Sequence, residues 1–117
     1  MPLKIVYLDD EPDLCQIFED GFGTMSGVEI QTFVDPEIAL TAIEANLPDL
    51  IFVDYRLPKT NGVAVARRIS PQVPIVLITG DLTMDLQAPS IRIFTKPYDF
   101  EEMKAFILSY VVRKPIR

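Results

Sequence analysis

Five short apolar runs, separated by amphipathic segments, recur along the whole chain, and this alternation restricts the fold more than any other feature of the sequence. The first, third and fourth runs are almost continuously apolar, which is typical of central parallel strands that are covered on both faces. The second run alternates between apolar and polar residues, which favours a place at the edge of a sheet. The five runs are 3–8, 28–34, 50–54, 74–79 and 91–95.

The segment 12–22 has the spacing of an amphipathic helix, because its apolar residues recur one helical turn apart. We expect its buried face to consist of Leu14, Ile17, Phe18 and Phe22. Cys15 lies between these positions, and we expect it to be partly exposed and to have no role in function.

Three short polar residues, Asp35, Asn61 and Asp99, each come directly before a segment with helical spacing and are predicted to cap its first turn. The segment 80–90 is less regular, because Pro89 closes it early and only about two turns of helix fit. This alternation of strands and helices predicts an α/β fold, a three-layer sandwich in which helices cover both faces of a five-stranded parallel sheet. Its fourth helix is predicted to be shortened or irregular.

Length and composition limit the class of protein. The 117 residues suit a single domain, 1–117, and 49% of them are apolar, as in an ordinary folded protein. The apolar runs are far shorter than the roughly 18 residues that cross a membrane, and the N-terminus lacks the pattern of a signal peptide. We therefore expect a cytoplasmic protein that does not enter a membrane. The net charge of −6 argues against direct binding of nucleic acid.

The lack of histidine and the low number of cysteines exclude several kinds of catalytic and metal site. The chain has no histidine, which excludes a Ser-His-Asp triad and most zinc hydrolase sites. Its single cysteine, Cys15, cannot form an internal disulfide or a zinc site built from thiolates.

Polar residues stand at the carboxyl ends of four apolar runs: Asp9 and Asp10 follow the first, Asp54 and Thr79 end the third and fourth, and Lys96 follows the fifth. In an open parallel sheet these ends lie along one rim. Two carboxylates about 4 Å apart repel by roughly 4 kcal/mol at an effective dielectric constant near 20. The three aspartates therefore favour a hard cation, Mg²⁺ or Mn²⁺, which also binds phosphoryl oxygens. An aspartate in such a site can form an acyl phosphate.

Four motifs at these strand ends resemble those of the receiver domains of two-component response regulators, the CheY-like family. They are "LDDE" at 8–11, "VDYRLPKTNG" at 53–62, "LITG" at 77–80 and "TKPY" at 95–98. The resemblance covers the whole chain and implies a flavodoxin-like sheet with the strand order 2-1-3-4-5.

The resemblance also implies a metal site and a reaction. Asp54 would accept a phosphoryl group from a sensor histidine kinase or a phosphotransfer protein. Asp10 and Asp54 would bind Mg²⁺ directly, Asp9 mostly through water, and the main-chain carbonyl of Arg56 would complete the protein ligands. Phosphorylation would switch a surface that acts on a downstream effector, which the sequence does not identify. The chain would promote only its own phosphorylation and dephosphorylation, so we do not expect a classical enzyme.

Three further roles follow from the same resemblance. Thr79 would supply the switch hydroxyl, and Lys96 would pair with the phosphoryl group and precede a cis peptide bond to Pro97. Arg56 and Asp81 lie where the family adjusts the lifetime of the acyl phosphate.

The chain departs from the family pattern at several places: Asn61 stands where the loop often carries Asp, and the third helix, between Asp54 and Thr79, is predicted to be short. Ile93 occupies the usual place of the switch aromatic, and the interval from Thr79 to Lys96 is more than a helical turn shorter than is usual. The predicted result is intact phosphorylation chemistry with a non-standard output surface.

Two other functions stay open at this point. A phosphatase of the haloacid-dehalogenase type would use Asp9 as its nucleophile, but the second aspartate that it needs is here Glu11. Its acidic pair after the lysine strand would have to be Glu101 and Glu102, which fall inside the last helix. The other alternative is an interaction module that has a receiver fold and is not phosphorylated.

Overall fold

The computed structural model describes residues 2–80 and 92–113, with the main chain alone for Arg113. The strands in this range are β1 (Leu3–Leu8), β2 (Val28–Phe33), β3 (Leu50–Asp54), β4 (Arg56–Leu57), β5 (Thr60–Asn61), β6 (Ile75–Thr79) and β7 (Arg92–Thr95). The helices are α1 (Pro12–Phe22), α2 (Pro36–Ala45), α3 (Gly62–Ala66) and α4 (Phe100–Arg113).

Within the described ranges, five strands form one parallel sheet in the order β2-β1-β3-β6-β7. The short strands β4 and β5 form a separate antiparallel hairpin between β3 and α3. When this hairpin is left out of the numbering, the order is the predicted 2-1-3-4-5. The alternating strand β2 lies at an edge, as predicted, and every residue of the apolar strands β3 and β6 is buried.

Each face of the sheet has its own hydrophobic cluster, which gives the predicted three-layer sandwich. Helices α2 and α3 cover one face, and α1 and α4 cover the other. Successive residues of a strand point to opposite faces, so Ile51 and Val53 belong to the first cluster while Leu50 and Phe52 belong to the second. A strand that is buried on both sides needs apolar residues at nearly every position, which explains the continuous run at 50–54.

The buried face of α1 differs from the predicted one. Phe18 is fully buried as expected, but Cys15 is buried as well, and Ile17 is 59% exposed. The Phe18 ring stacks on Tyr7 with 4.2 Å between ring centroids and lies 5.1 Å from the ring of Phe52. These contacts place Phe18 at the centre of the buried face, and Cys15, one turn earlier, lies on the same side. The prediction that Cys15 is partly exposed is therefore wrong, as is the burial of Ile17.

The three predicted N-caps are confirmed. One carboxylate oxygen of Asp35 accepts hydrogen bonds from two N–H groups in the first turn of α2, and Asp99 does the same for α4. The Asn61 side chain accepts one hydrogen bond, from the N–H of Ala64 in α3. These bonds fix where the helices begin, and hence the lengths of the loops at the strand ends.

In the last strand, β7, Phe94 is buried and Ile93 is 43% exposed. The segment from 81 to 91, which contains Asp81 and most of the predicted fourth helix, lies outside the described residues. Among the helices that are described, none is both long enough and apolar enough to span a bilayer.

Candidate functional site

The carboxyl ends of β1, β3, β6 and β7 meet at one edge of the sheet and carry the predicted site residues. Asp9 directly follows β1, next to β3, which ends in Asp54. Thr79 is the last residue of β6, and its carbonyl oxygen accepts a hydrogen bond of 2.8 Å from the main-chain N–H of Lys96, which follows β7. The strand ends are therefore brought together as the parallel sheet predicts.

Three carboxylates form a cluster at this edge. One carboxylate oxygen from each of Asp9, Asp10 and Asp54 lies within 4.8 Å of the others. Asp9 and Asp54 are buried, while Asp10 is exposed, so the cluster is open to solvent on one side. Carboxylate oxygens in an open site are the ligands that Mg²⁺ and Mn²⁺ prefer, because these ions retain several waters. The residues present therefore fit a divalent cation.

Lys96 reaches into the cluster and contacts two of the three acids. Its Nζ lies 2.7 Å from Oδ1 of Asp54 and 3.6 Å from Oδ2 of Asp9. The peptide bond between Lys96 and Pro97 is cis, as predicted. The ammonium offsets part of the repulsion among the carboxylates, and most directly that of Asp54.

Asp9 is held by two groups that the sequence analysis did not identify. The Tyr7 hydroxyl donates a hydrogen bond of 3.0 Å to Oδ2 of Asp9, and the main-chain N–H of Glu11 donates one of 3.0 Å to Oδ1. The sequence contained a signal for the first bond, since a tyrosine hydroxyl stands in a mostly apolar strand two residues before Asp9. The buried Cys15 thiol lies 3.4 Å from the main-chain oxygen of Asp9 and so also borders the site.

The burial and charges of the cluster shift several pKa values. Burial raises the pKa of the Asp54 carboxyl above its ordinary value, and Asp9 adds to the rise, whereas the hydrogen bond from Lys96 opposes it. Burial alone would lower the pKa of the Lys96 ammonium, but its bond to Asp54 reverses this, and the pKa is raised. Burial and the neighbouring Asp9 raise the pKa of the Tyr7 hydroxyl, so it stays protonated and can donate.

The loop after Asp54 approaches the strand closely at Gly62. The Gly62 N–H donates a hydrogen bond of 2.7 Å to the carbonyl oxygen of Tyr55. A Cβ atom at Gly62 would lie 2.7 Å from the carbonyl oxygen of Asp54, so a larger residue would displace the main chain that carries this carboxylate. Arg56, predicted to offer its carbonyl to the cation, lies in the β4–β5 hairpin two residues after Asp54. The role of that carbonyl stays a prediction.

The three aspartates, Thr79 and Lys96 thus all stand at one edge of the sheet. A family model described as "Response regulator receiver domain" matches residues 5–108. The chain belongs to this family. The predicted identity as a receiver domain of a two-component response regulator is confirmed, and so is the predicted fold.

Several curated relatives of this receiver domain are regulators of about twice its length. The alkaline phosphatase synthesis transcriptional regulatory protein PhoP of Bacillus subtilis is 30% identical, and the alignment covers 99% of this chain and 51% of PhoP. The response regulator ArlR of Staphylococcus aureus is 29% identical, with 96% of this chain and 54% of ArlR covered. The chain therefore spans about half the length of the curated relatives that it matches.

Solved structures share the fold. A two-component response regulator from Clostridium difficile has a TM-score of 0.81 and 25% identity, with 94% of this chain and 96% of that chain covered. The chemotaxis protein CheY4 of Vibrio cholerae has a TM-score of 0.82 at 18% identity, with 94% and 99% covered.

The geometry of Asp9 does not favour the dehalogenase-type alternative. Asp9 is fully buried and each of its carboxylate oxygens already accepts a hydrogen bond, so it is poorly placed to act as a nucleophile. The candidate acidic pair, Glu101 and Glu102, lies in α4, where Glu102 forms an ion pair with Arg92.

Proposed function

We propose that this receiver domain accepts a phosphoryl group on Asp54 in a reaction that requires a divalent cation. The observation that carries the proposal is the 2.7 Å contact between Lys96 Nζ and Asp54 Oδ1 inside the group of three carboxylates. An ammonium and a cation site beside the same carboxylate provide the positive charge that an incoming phosphoryl group needs.

In the proposed reaction, an oxygen of the Asp54 carboxylate attacks the phosphorus atom of a phosphohistidine on a sensor histidine kinase or a phosphotransfer protein. An O–P bond forms, the P–N bond breaks, and the imidazole nitrogen leaves with the bonding electrons. Lys96 then pairs with the transferred phosphoryl oxygens, and the Thr79 hydroxyl moves toward them as the switch.

Asp9, Asp10, Asp54 and the main-chain carbonyl of Arg56 would hold the cation, Mg²⁺ or alternatively Mn²⁺. When bound, the ion neutralises the charge that accumulates between the carboxylates and the phosphoryl group. The three clustered carboxylates support this assignment, because without a cation they repel one another.

The broader proposal concerns the role in signalling. Residues 1–117 form one cytoplasmic receiver domain, which catalyses only its own phosphorylation and dephosphorylation and acts on a downstream effector. The relatives' names as transcriptional regulators support a regulatory output. The acidic charge of the chain argues against direct nucleic-acid contact by this part of it.

The test is phosphorylation with acetyl phosphate and Mg²⁺, followed by intact mass spectrometry. The wild-type chain is expected to gain one phosphoryl group, which Asp54→Asn abolishes. Asp9→Asn separates this proposal from the dehalogenase-type alternative, in which Asp9 would carry the phosphoryl group. If a folded wild-type chain gains no phosphoryl group and binds no Mg²⁺, the chain is instead an unphosphorylated interaction module.

A further inference from the structure

The Tyr7 hydroxyl is a polar group inside the core whose hydrogen bond points at the site. The side chain is 2% exposed, and its hydroxyl donates to Oδ2 of Asp9. We propose that Tyr7 is a positioning residue, which holds the Asp9 carboxylate in the orientation that cation binding requires. This inference rests on the proposed function, because it assumes that a divalent cation binds at the three aspartates.

The ring of Tyr7 gives the hydroxyl a fixed position. It stacks on Phe18 with 4.2 Å between centroids and 18° between ring planes, and Phe18 in turn contacts Phe22 and Phe52. A close-packed aromatic cluster leaves the ring of Tyr7 a single rotamer. The position of Asp9 is therefore tied to the core between the sheet and α1.

The Tyr7 hydroxyl and the Lys96 ammonium both lie near the same carboxylate oxygen of Asp9. Oδ2 of Asp9 accepts the Tyr7 hydroxyl at 3.0 Å, while Lys96 Nζ lies 3.6 Å away and is 2.7 Å from Asp54. The Glu11 N–H occupies one site on the other oxygen of Asp9, and each carboxylate oxygen has two lone pairs. Asp9 thus keeps lone pairs for a cation or for a water that the cation holds.

Loss of the hydroxyl frees Asp9 to turn toward Lys96. The ammonium would then neutralise Asp9 and compete with the cation for it, and it would also move away from Asp54. Groups that orient the ligands of a metal typically change its affinity by about 10- to 100-fold when they are removed.

The experiment measures the dissociation constant of Mg²⁺ for the full chain by isothermal titration calorimetry. Tyr7→Phe removes the hydroxyl and keeps the ring, and it is expected to weaken Mg²⁺ binding about tenfold. Tyr110→Phe removes the same atom from α4 and is expected to leave the dissociation constant unchanged. Urea unfolding of each variant establishes that it is folded at the temperature of the titration.

A double-mutant cycle separates positioning from general loss of stability. In a Lys96→Met background no ammonium competes for Asp9, so Tyr7→Phe is expected to weaken Mg²⁺ binding by a clearly smaller factor. Equal factors in the two backgrounds would overturn the proposed competition. If Tyr7→Phe fails to fold, proton NMR of the wild-type chain with and without Mg²⁺ decides, because the Tyr7 hydroxyl resonance is expected to shift when Mg²⁺ binds beside Asp9, and an unchanged resonance would overturn the positioning role.

The outcomes distinguish this inference from the proposed function. If the wild-type chain binds Mg²⁺ and Asp10→Asn abolishes binding, but Tyr7→Phe binds as the wild type does, the positioning role alone is overturned. If the wild-type chain binds no Mg²⁺, the proposed function is overturned and the inference with it.

Discussion

The Lys96 ammonium contacts Asp54 at 2.7 Å and lies 3.6 Å from Asp9, so one lysine is shared unequally between two buried acids. The main chain sets this arrangement, because the Lys96 N–H donates to the carbonyl oxygen of Thr79 and so fixes Lys96 beside the end of β6. Asp54 therefore has a cationic partner even before a metal or a phosphoryl group binds.

Lys96→Met is expected to lower the free energy of unfolding, measured with urea in the presence of EDTA, by about 1–2 kcal/mol. Removing the ammonium leaves the carboxylates of Asp54 and Asp9 without the cationic charge of Lys96, and the partial exposure of Lys96 keeps the loss below that of a fully buried pair. Lys104→Met on α4 is the control and is expected to change stability by less than about 0.5 kcal/mol. Equal stability of Lys96→Met and the wild type would contradict this account of the cluster.

Mg²⁺ is expected to raise the melting temperature of the wild-type chain, because a ligand that binds only the folded state adds stability, about 2.7 kcal/mol at 100 times its dissociation constant. Asp10→Asn should abolish this shift, since Asp10 supplies one of the three clustered carboxylates that are proposed to hold the ion. Asp20→Asn removes an exposed charge of α1 and should leave the shift unchanged. Scanning calorimetry with and without Mg²⁺ measures the shift in melting temperature for the wild type and for each variant. An undiminished shift in Asp10→Asn would mean that the cation binds elsewhere.

Phe18→Ala is expected to destabilise the chain by about 3–5 kcal/mol, because Phe18 is fully buried and contacts three other rings. Ile17→Ala, one residue away, should cost less than about 0.5 kcal/mol, because Ile17 is 59% exposed. Urea denaturation of the two variants checks the observed orientation of α1. Similar losses at both positions would instead support the broader face predicted from the sequence.

Glu37 and Arg68 form an exposed ion pair in which two hydrogen bonds join α2 to the chain after α3. Hydrogen bonding to Arg68 lowers the pKa of Glu37 below its ordinary value. A lowered pKa in the folded state adds stability above the unfolded-state pKa of about 4.3, and this contribution is lost as the pH falls through the folded-state pKa. Glu37→Gln should therefore be less stable than the wild type at pH 7, with the difference narrowing in acid. A difference that stays constant with pH in urea titrations would contradict the pairing.

Much of the fold and of the site could be predicted from local patterns. The bounds of β1, β3 and α1 coincide with the predicted segments, and Asp35, Asn61 and Asp99 cap their helices. These features depend on residues that are close together in the chain, so they can be predicted directly from the sequence. The grouping of Asp9, Asp10, Asp54 and Lys96 also follows, because parallel strands end at one edge.

Sequence by itself thus determined the order of the elements and the set of chemical groups at the strand ends, since apolar periodicity and capping act over a few residues. The tertiary structure decided which side of α1 is buried, and with it the burial of Cys15 and the exposure of Ile17. It also decided that the Tyr7 hydroxyl meets Asp9 and that Arg68 reaches Glu37. An apolar stripe that is wider than the contact area leaves the rotation of a helix open, and contacts of Phe18 with the rings of Tyr7 and Phe52 on the sheet help to select it.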